Sequence, residues 1–334
     1  MTSLSTTTVG GPFYEDIRIG DRFAGAPAVT LTDGLAAAHQ AIVGGRLHLA
    51  HDRELAWRVT GTNVAPPALV WDVSIGQSTL VTQRAIANLF YRGLAFRALP
   101  AIGETLKTTT TIVGTRAASA RPGRPPRGLV VMRIVTTAQD GRTILDFHRC
   151  AMIAARSQID GAASGELEPP EAEMGASIVA PTIAGWDLAA FRAAIRGPHF
   201  ADIRPGMVLS VEGGDVVTSA PELARLTLNL AAVHHDSAAA GGRRLVYGGH
   251  TIGLAAAQVS RAFPALVTIL GWRSCDHTGP VHEGDTLHSE IGVEACEPLP
   301  AGGGLVHLRS WVRATPESGD ASDVLDWRLV ALFA

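Results

Sequence analysis

The chain has 334 residues, 46% of them hydrophobic, and a formal net charge of −3. That is enough for two domains of about 150 residues, each able to bury a core, and too nearly neutral to suggest a nucleic-acid partner. No apolar run reaches the roughly 18 residues of a membrane span, and the N-terminus lacks the basic start and apolar stretch of a signal peptide, so a cytoplasmic protein away from membranes is expected.

In chain order, the first landmark is "GPFYEDIRIG" (Gly11 to Gly20). It returns as "GPHFADIRPG" (Gly197 to Gly206), and the same constant offset carries Thr32 onto Thr218 and His48 onto His234. "PAIGETL" (Pro100 to Leu106) is answered by "PVHEGDTL" (Pro280 to Leu287), and "LDFHRCAM" (Leu145 to Met152) by "LDWRLVAL" (Leu325 to Leu332). Collinear matches of this kind mean one unit used twice. Each copy reads as a short strand, a helix, a loop, a second helix and then several strands. Helices followed by consecutive strands predict an α+β fold with an antiparallel sheet covered on one face.

The first copy spans residues 1–154. Its "TRAASARPGRPPRG" (Thr115 to Gly128), with four arginines, reads as a solvated hairpin loop. Residues 155–185 are rich in Gly, Pro, Ala and Glu and read as a linker. The second copy spans 186–334. There Ser219-Ala-Pro-Glu222 has the form of a capping box. The helix it would open carries Leu223, Leu226, Leu230 and Val233 at three- and four-residue spacing. "HTIGLAAAQVSRAF" (His250 to Phe263) predicts a second, closely buried helix, and four strand-like runs follow.

Between those helices lies "NLAAVHHDSAAAGGRRLVYGGH" (Asn229 to His250), where the chemistry concentrates. His234 can move a proton near neutral pH. Asn229 can orient a water through its amide, and a helix opening at Gly248 offers free N–H groups and a positive dipole end. His235 reads as structural and Asp236 as a cap or a support for His234. Tyr247 reads as packing, while Gly249 and His250 could pack, cap or touch a ligand. Arg243 and Arg244 follow a Gly-Gly turn and could face an anionic group. The three cysteines (Cys150, Cys275, Cys296) read as reduced thiols, without zinc-ligand spacing. No metal or cofactor is expected: a metal hydrolase built on His234, His235 and His250 would lack the His-x3-His or paired-carboxylate spacing.

The pattern Asn229-x4-His234-x-Asp236, followed by "RRLVYGGH" (Arg243 to His250), resembles the MaoC-like (R)-specific enoyl-CoA hydratases. Within them it is most similar to the mesaconyl-CoA hydratase, or β-methylmalyl-CoA dehydratase, branch and a double-hot-dog subgroup. "AIANLFYRGLAF" (Ala85 to Phe96) also looks like that branch. The resemblance implies a double hot dog, two antiparallel sheets each wrapped on a central helix, and hydration or dehydration of an acyl-CoA substrate. It implies His234 as acid and base, Asn229 as water-positioning group and Gly248 N–H as donor to the oxyanion. Asp236, Tyr247, Gly249, His250, Arg243 and Arg244 would be substrate contacts. The family's usual aspartate is here Asn229, an asparagine the mesaconyl-type branch shares, so a one-base scheme is expected. Copy one pairs His48 with His234, puts Val43 in place of Asn229, and aligns Trp71-Asp72 with Tyr247-Gly248. It is read as a non-catalytic half that frames the acyl group. Such a chain could be a monomer that mimics a dimer, or a homodimer. A thioesterase and a non-catalytic acyl-thioester or lipid-binding protein are the alternatives.

Overall fold

The computed structural model describes residues 9–120, 122–159, 163–171 and 174–334. Met1–Thr8, Arg121 of the arginine-rich loop and parts of the linker (160–162, 172 and 173) lie outside the described residues.

Each copy contributes four long strands. In copy one these are β1 (Ala85–Phe96), β2 (Thr105–Ala117), β3 (Arg127–Thr137) and β4 (Thr143–Ala154). In copy two they are β5 (Leu266–His277), β6 (Thr286–Pro298), β7 (Gly304–Thr315) and β8 (Ser322–Phe333). Their β-branched residues alternate with more exposed ones, so one face of each strand is buried. They form one antiparallel sheet in the order β2-β3-β4-β1-β5-β8-β7-β6. The copies meet at the β1–β5 ladder, where Leu94 faces Trp272 and Tyr91 faces Cys275. An Arg92–Asp276 ion pair at 2.7 Å crosses the same seam.

Four helices pack over this sheet or beside its seam: α1 (Asp33–Val43), α2 (Pro67–Gln77), α3 (Ala220–Leu226) and α4 (Gly248–Ala262). Thr32 caps α1 through its hydroxyl, and Gly44 ends it at φ 70°. Every residue of α2 except Ala68 is buried, as an all-round apolar helix must be. α2 and α4 are the central helices of the two copies. Trp71 of α2 packs edge-on against Trp272 and Trp327, with ring centroids 4.9 and 6.2 Å away, so the core runs across the copy boundary.

The two copies are in register at equivalent glutamines. Gln77 Nε2 donates to the Leu106 carbonyl at 3.2 Å, and Gln258 Nε2 donates to the Leu287 carbonyl at 2.9 Å. This register pairs Gly248 with Pro67 and Tyr247 with Pro66. The sequence pairing of Trp71-Asp72 with Tyr247-Gly248 is therefore slipped by more than a helical turn. The cause is extra chain in copy one, folded as the short helices His48–His51 and Arg53–Thr60.

The helix expected to run from Ser219 to Val233 is shorter. α3 stops at Leu226, Leu228 adopts φ 60°, and a separate 3-10 turn covers Ala232–His234. Asn229 Oδ1 accepts from Ala231 N at 2.9 Å, a local bond that competes with helix continuation. Ser219 makes no capping bond and sits at φ 59°; the Glu283 carboxylate accepts from Ala220 N at 3.1 Å instead.

Copy two presses its backbone onto α2 at Gly76, where a Cβ would stand 1.7 Å from the Thr227 carbonyl oxygen. Alanine would gain about 1 kcal/mol of helix propensity there, but a clash with backbone cannot be relieved by rotating a side chain. Gly76→Ala is expected to destabilise the fold by about 2 kcal/mol, read as a lower urea midpoint at unchanged slope. A midpoint equal to that of the parent would refute this tight seam.

Candidate active site

His234 is placed by contacts with the other copy. Leu230 N donates to Thr79 Oγ1 at 2.8 Å and Ala232 N donates to the Gln83 carbonyl at 3.0 Å. Ala231 and Val233 pack against Ala85 at the start of β1. The 3-10 turn that ends in His234 is thus clamped to copy one at both backbone and side-chain level.

The imidazole itself is half-buried, and its Nδ1 lies 2.8 Å from the Leu245 carbonyl. Since a carbonyl only accepts, Nδ1 carries the proton and Nε2 keeps its lone pair. Burial pushes the His234 pKa down to about 4, against the pull of the Leu245 carbonyl, and the charges of Arg149 and His235 depress it further. His234 is therefore a neutral base at pH 7, with a fixed tautomer. Its ring lies 5.8 Å from that of Tyr247, the residue that caps α4.

The first turn of α4 is polar and buried. Among the described residues the Gly248 and Gly249 N–H groups, donors a helix leaves free at its start, make no hydrogen bond. A Cβ on Gly248 would stand 2.7 Å from His277 Nε2, and one on Gly249 would stand 2.1 Å from Asp72 Oδ1. Both glycines are thus dictated by close approach. Asp72 belongs to α2 of the other copy. It is fully buried, with Oδ2 2.8 Å from His39 Nε2 and Oδ1 unpartnered, and burial pushes its carboxyl up while His39 opposes the shift. Tyr247 donates its hydroxyl hydrogen to the Asp72 carbonyl at 3.3 Å, tying the start of α4 to α2.

The remaining residues singled out in the sequence fall into place around this turn. Asn229 is buried; its Oδ1 is spent on Ala231 N and its Nδ2 has no partner. His235 is bound through Nε2 to the Asn229 carbonyl at 2.7 Å, and Asp236 is exposed, with Oδ1 accepting from Ala238 N at 2.8 Å. His250 is fully buried with neither ring nitrogen partnered, and burial brings its pKa to about 4. Arg243 donates to Asp285 Oδ1 at 3.0 Å and Arg244 to Glu283 Oε2 at 2.8 Å. Both arginines are held by the Glu283–Asp285 loop.

Sequence reasoning missed Arg149, Asp72 and His277. Arg149, on β4, is 3% exposed and faces no carboxylate: Nε donates to Asn88 Oδ1 at 2.6 Å and one terminal nitrogen to Ser78 Oγ at 3.1 Å. A buried cation paired only with neutral groups is costly. Its positive charge lowers the pKa of His234, His277, Tyr247 and Tyr91. Nothing in the local sequence marks it, because its partners come from other elements.

A cavity of about 270 Å³ opens at the start of α2, lined by His39, Val43, Pro66, Pro67, Trp71 and Gly253. It occupies the copy-one counterpart of the His234 region and does not reach His234 or Gly248. Pro67 stands where Gly248 stands in copy two, and proline has no N–H to donate. Among the described residues no group of three or more His, Cys, Asp or Glu side chains could hold a metal, and no helix is long and apolar enough to cross a membrane.

No protein-family model matches the chain. It is 28% identical over 326 residues to the β-methylmalyl-CoA dehydratase of Chloroflexus aurantiacus, covering 94% of this chain and 91% of that protein. It is 29% identical over 315 residues to the mesaconyl-CoA hydratase of Cereibacter sphaeroides, covering 90% and 89%. Among solved structures, a double-hotdog protein from Mycobacterium tuberculosis superposes with a TM-score of 0.88 at 50% identity, over 98% of this chain and 99% of that one. Two tandem hot dogs, full-length similarity and named hydratase and dehydratase relatives agree: the chain belongs to the MaoC-like double-hotdog family and is a hydratase/dehydratase, a lyase of that family.

Proposed function

We propose that the chain interconverts an enoyl-CoA and a 3-hydroxyacyl-CoA thioester, with His234 as the proton-transfer group. The observation that carries this reading is the His234–Leu245 bond, which leaves Nε2 as a free base beside the unsatisfied first turn of α4. In the hydration direction His234 Nε2 takes a proton from water as the water oxygen bonds to the β-carbon. The π electrons move toward the thioester carbonyl, whose oxygen becomes enolate-like. The Gly248 N–H and the helix dipole favour that negative charge. His234 then gives its proton to the α-carbon, which closes the balance with one imidazole and no second base.

Asn229 enters this scheme through Nδ2 alone, since its carbonyl oxygen is occupied by Ala231 N. It can donate to the water oxygen and hold it, but cannot accept the proton. Tyr247, Gly249 and His250 shape the wall beside the thioester. Arg243 and Arg244 are paired with Asp285 and Glu283, and would meet the phosphates of CoA by exchanging those partners. Asp236 lies at the outer edge of the same loop.

The acyl group is short, branched or functionalised. The names of the two curated relatives, mesaconyl-CoA hydratase and β-methylmalyl-CoA dehydratase, support this. Arg149 supports it independently, because a buried guanidinium without a carboxylate can be completed by an acid group on the acyl chain.

Loss of enoyl absorbance across crotonyl-, mesaconyl- and longer enoyl-CoA thioesters tests the reading. His234→Ala is expected to lose at least about 100-fold in kcat/KM with its melting curve unchanged; full turnover in that variant, or release of free thiol in place of hydration, would refute the assignment. The pH dependence gives a second check. An imidazole whose pKa is brought down to about 4 stays neutral as pH falls through 6.5, so kcat/KM should hold its plateau there and decline only near pH 4. An acid limb centred at 6.5 would mean that the base is a solvated histidine.

A further inference from the structure

We infer that His277 is a second hydrogen-bond donor to the thioester oxygen, completing with the Gly248 N–H the hole that holds the enolate; the inference deepens the hydratase reading and rests on it.

His277 closes β5 and is anchored there by its ladder partner Leu325 on β8. Its ring stacks edge-on to Tyr91 at 5.9 Å and stands where a side chain of Gly248 would go: Nε2 and Cε1 lie 2.7 and 2.8 Å from that missing Cβ. The imidazole therefore touches the residue whose amide opens α4. The two belong together: any larger residue at position 248 would push His277 away.

His277 Nε2 is buried and bonds to nothing among the described residues. Leaving such a group dry and unpaired costs about 1–3 kcal/mol, so its position needs a reason beyond packing. Burial first, and the Arg149 charge second, bring its pKa to about 4, which leaves a neutral ring with a single N–H at pH 7. A neutral imidazole donates without adding a full charge to the resting site, and its bond strengthens as the oxygen becomes anionic. A carbonyl oxygen developing enolate charge has two lone pairs to satisfy, and the Gly248 N–H meets only one. His234 and His277 then divide the work. One has its Nδ1 proton locked on a backbone carbonyl so that Nε2 is a base; the other has no such lock, and its Nε2–H tautomer, which an oxyanion would select, donates.

The experiment compares the full chain with His277→Gln and His277→Met on crotonyl-CoA and mesaconyl-CoA, with His234→Ala as control. Glutamine places an N–H near the position of Nε2, whereas methionine has similar length, suits a buried site and cannot donate. The expected result is a kcat loss of about 10²–10³ for His277→Met, KM within about threefold, and at least tenfold recovery of kcat in His277→Gln. A purely structural role gives the opposite order, with methionine equal to or better than glutamine. That outcome, with His234→Ala inactive, overturns the inference and leaves the hydratase reading standing. Absence of turnover of every thioester by the parent protein removes both.

Discussion

The ladder between β1 and β5 is the constraint on which the other contacts depend. It makes one sheet of two hot dogs, and the indoles of Trp71, Trp272 and Trp327 meet across it. With the sheet continuous, α2 and α4 have fixed positions relative to each other. Copy-one residues then meet copy two on two sides: Asp72 of α2 approaches the start of α4, and the Thr79 and Gln83 acceptors hold the His234 segment. Separate copies could not assemble this arrangement, because each lacks half of its wall.

The second organising fact is where the fold tolerates unsatisfied polar atoms. Among the buried polar atoms without partners, Asp72 Oδ1 and His277 Nε2 approach Gly249 and Gly248, and both nitrogens of His250 lie in the same first turn of α4. At the far ends of the central helices the Gln77 and Gln258 amides donate to backbone carbonyls. Three histidines of the unsatisfied region share a pKa near 4, each because burial opposes the charged form. These histidines are neutral at pH 7, and His234 and His277 lie in the field of one buried arginine, Arg149. Such an environment favours chemistry in which charge appears transiently on substrate and disappears again.

The duplication was readable from sequence because turn residues such as Gly11 and Gly197, or Gly103 and Gly284, punctuate both copies at matching places. The region around His234 and Gly248 was readable because its residues are neighbours along the chain. The end of α3 was not: Leu223, Leu226, Leu230 and Val233 keep helical spacing across a break set by Leu228 and by the Asn229 side-chain bond. The equivalence of Pro67 and Gly248 was hidden as well, because extra helices in copy one shift the numbering just before α2. Asp72, Arg149 and His277 lie far in sequence from the motif, on elements that only the assembled sheet brings together. Local pattern carries no signal for such long-range placement.

Pro66 and Pro67 at the head of α2 have a consequence for how labour is shared within the molecule. A duplicated enzyme begins with two equivalent centres, each obliged to keep its own donors. Pro67 offers no amide hydrogen at the position where Gly248 offers one, and a hollow lies beside it. His39 and Asp72 now form a buried pair there whose carboxylate leans toward the surviving centre. Only one of the two central helices can therefore present an amide at that position, and the other copy packs against it from the side.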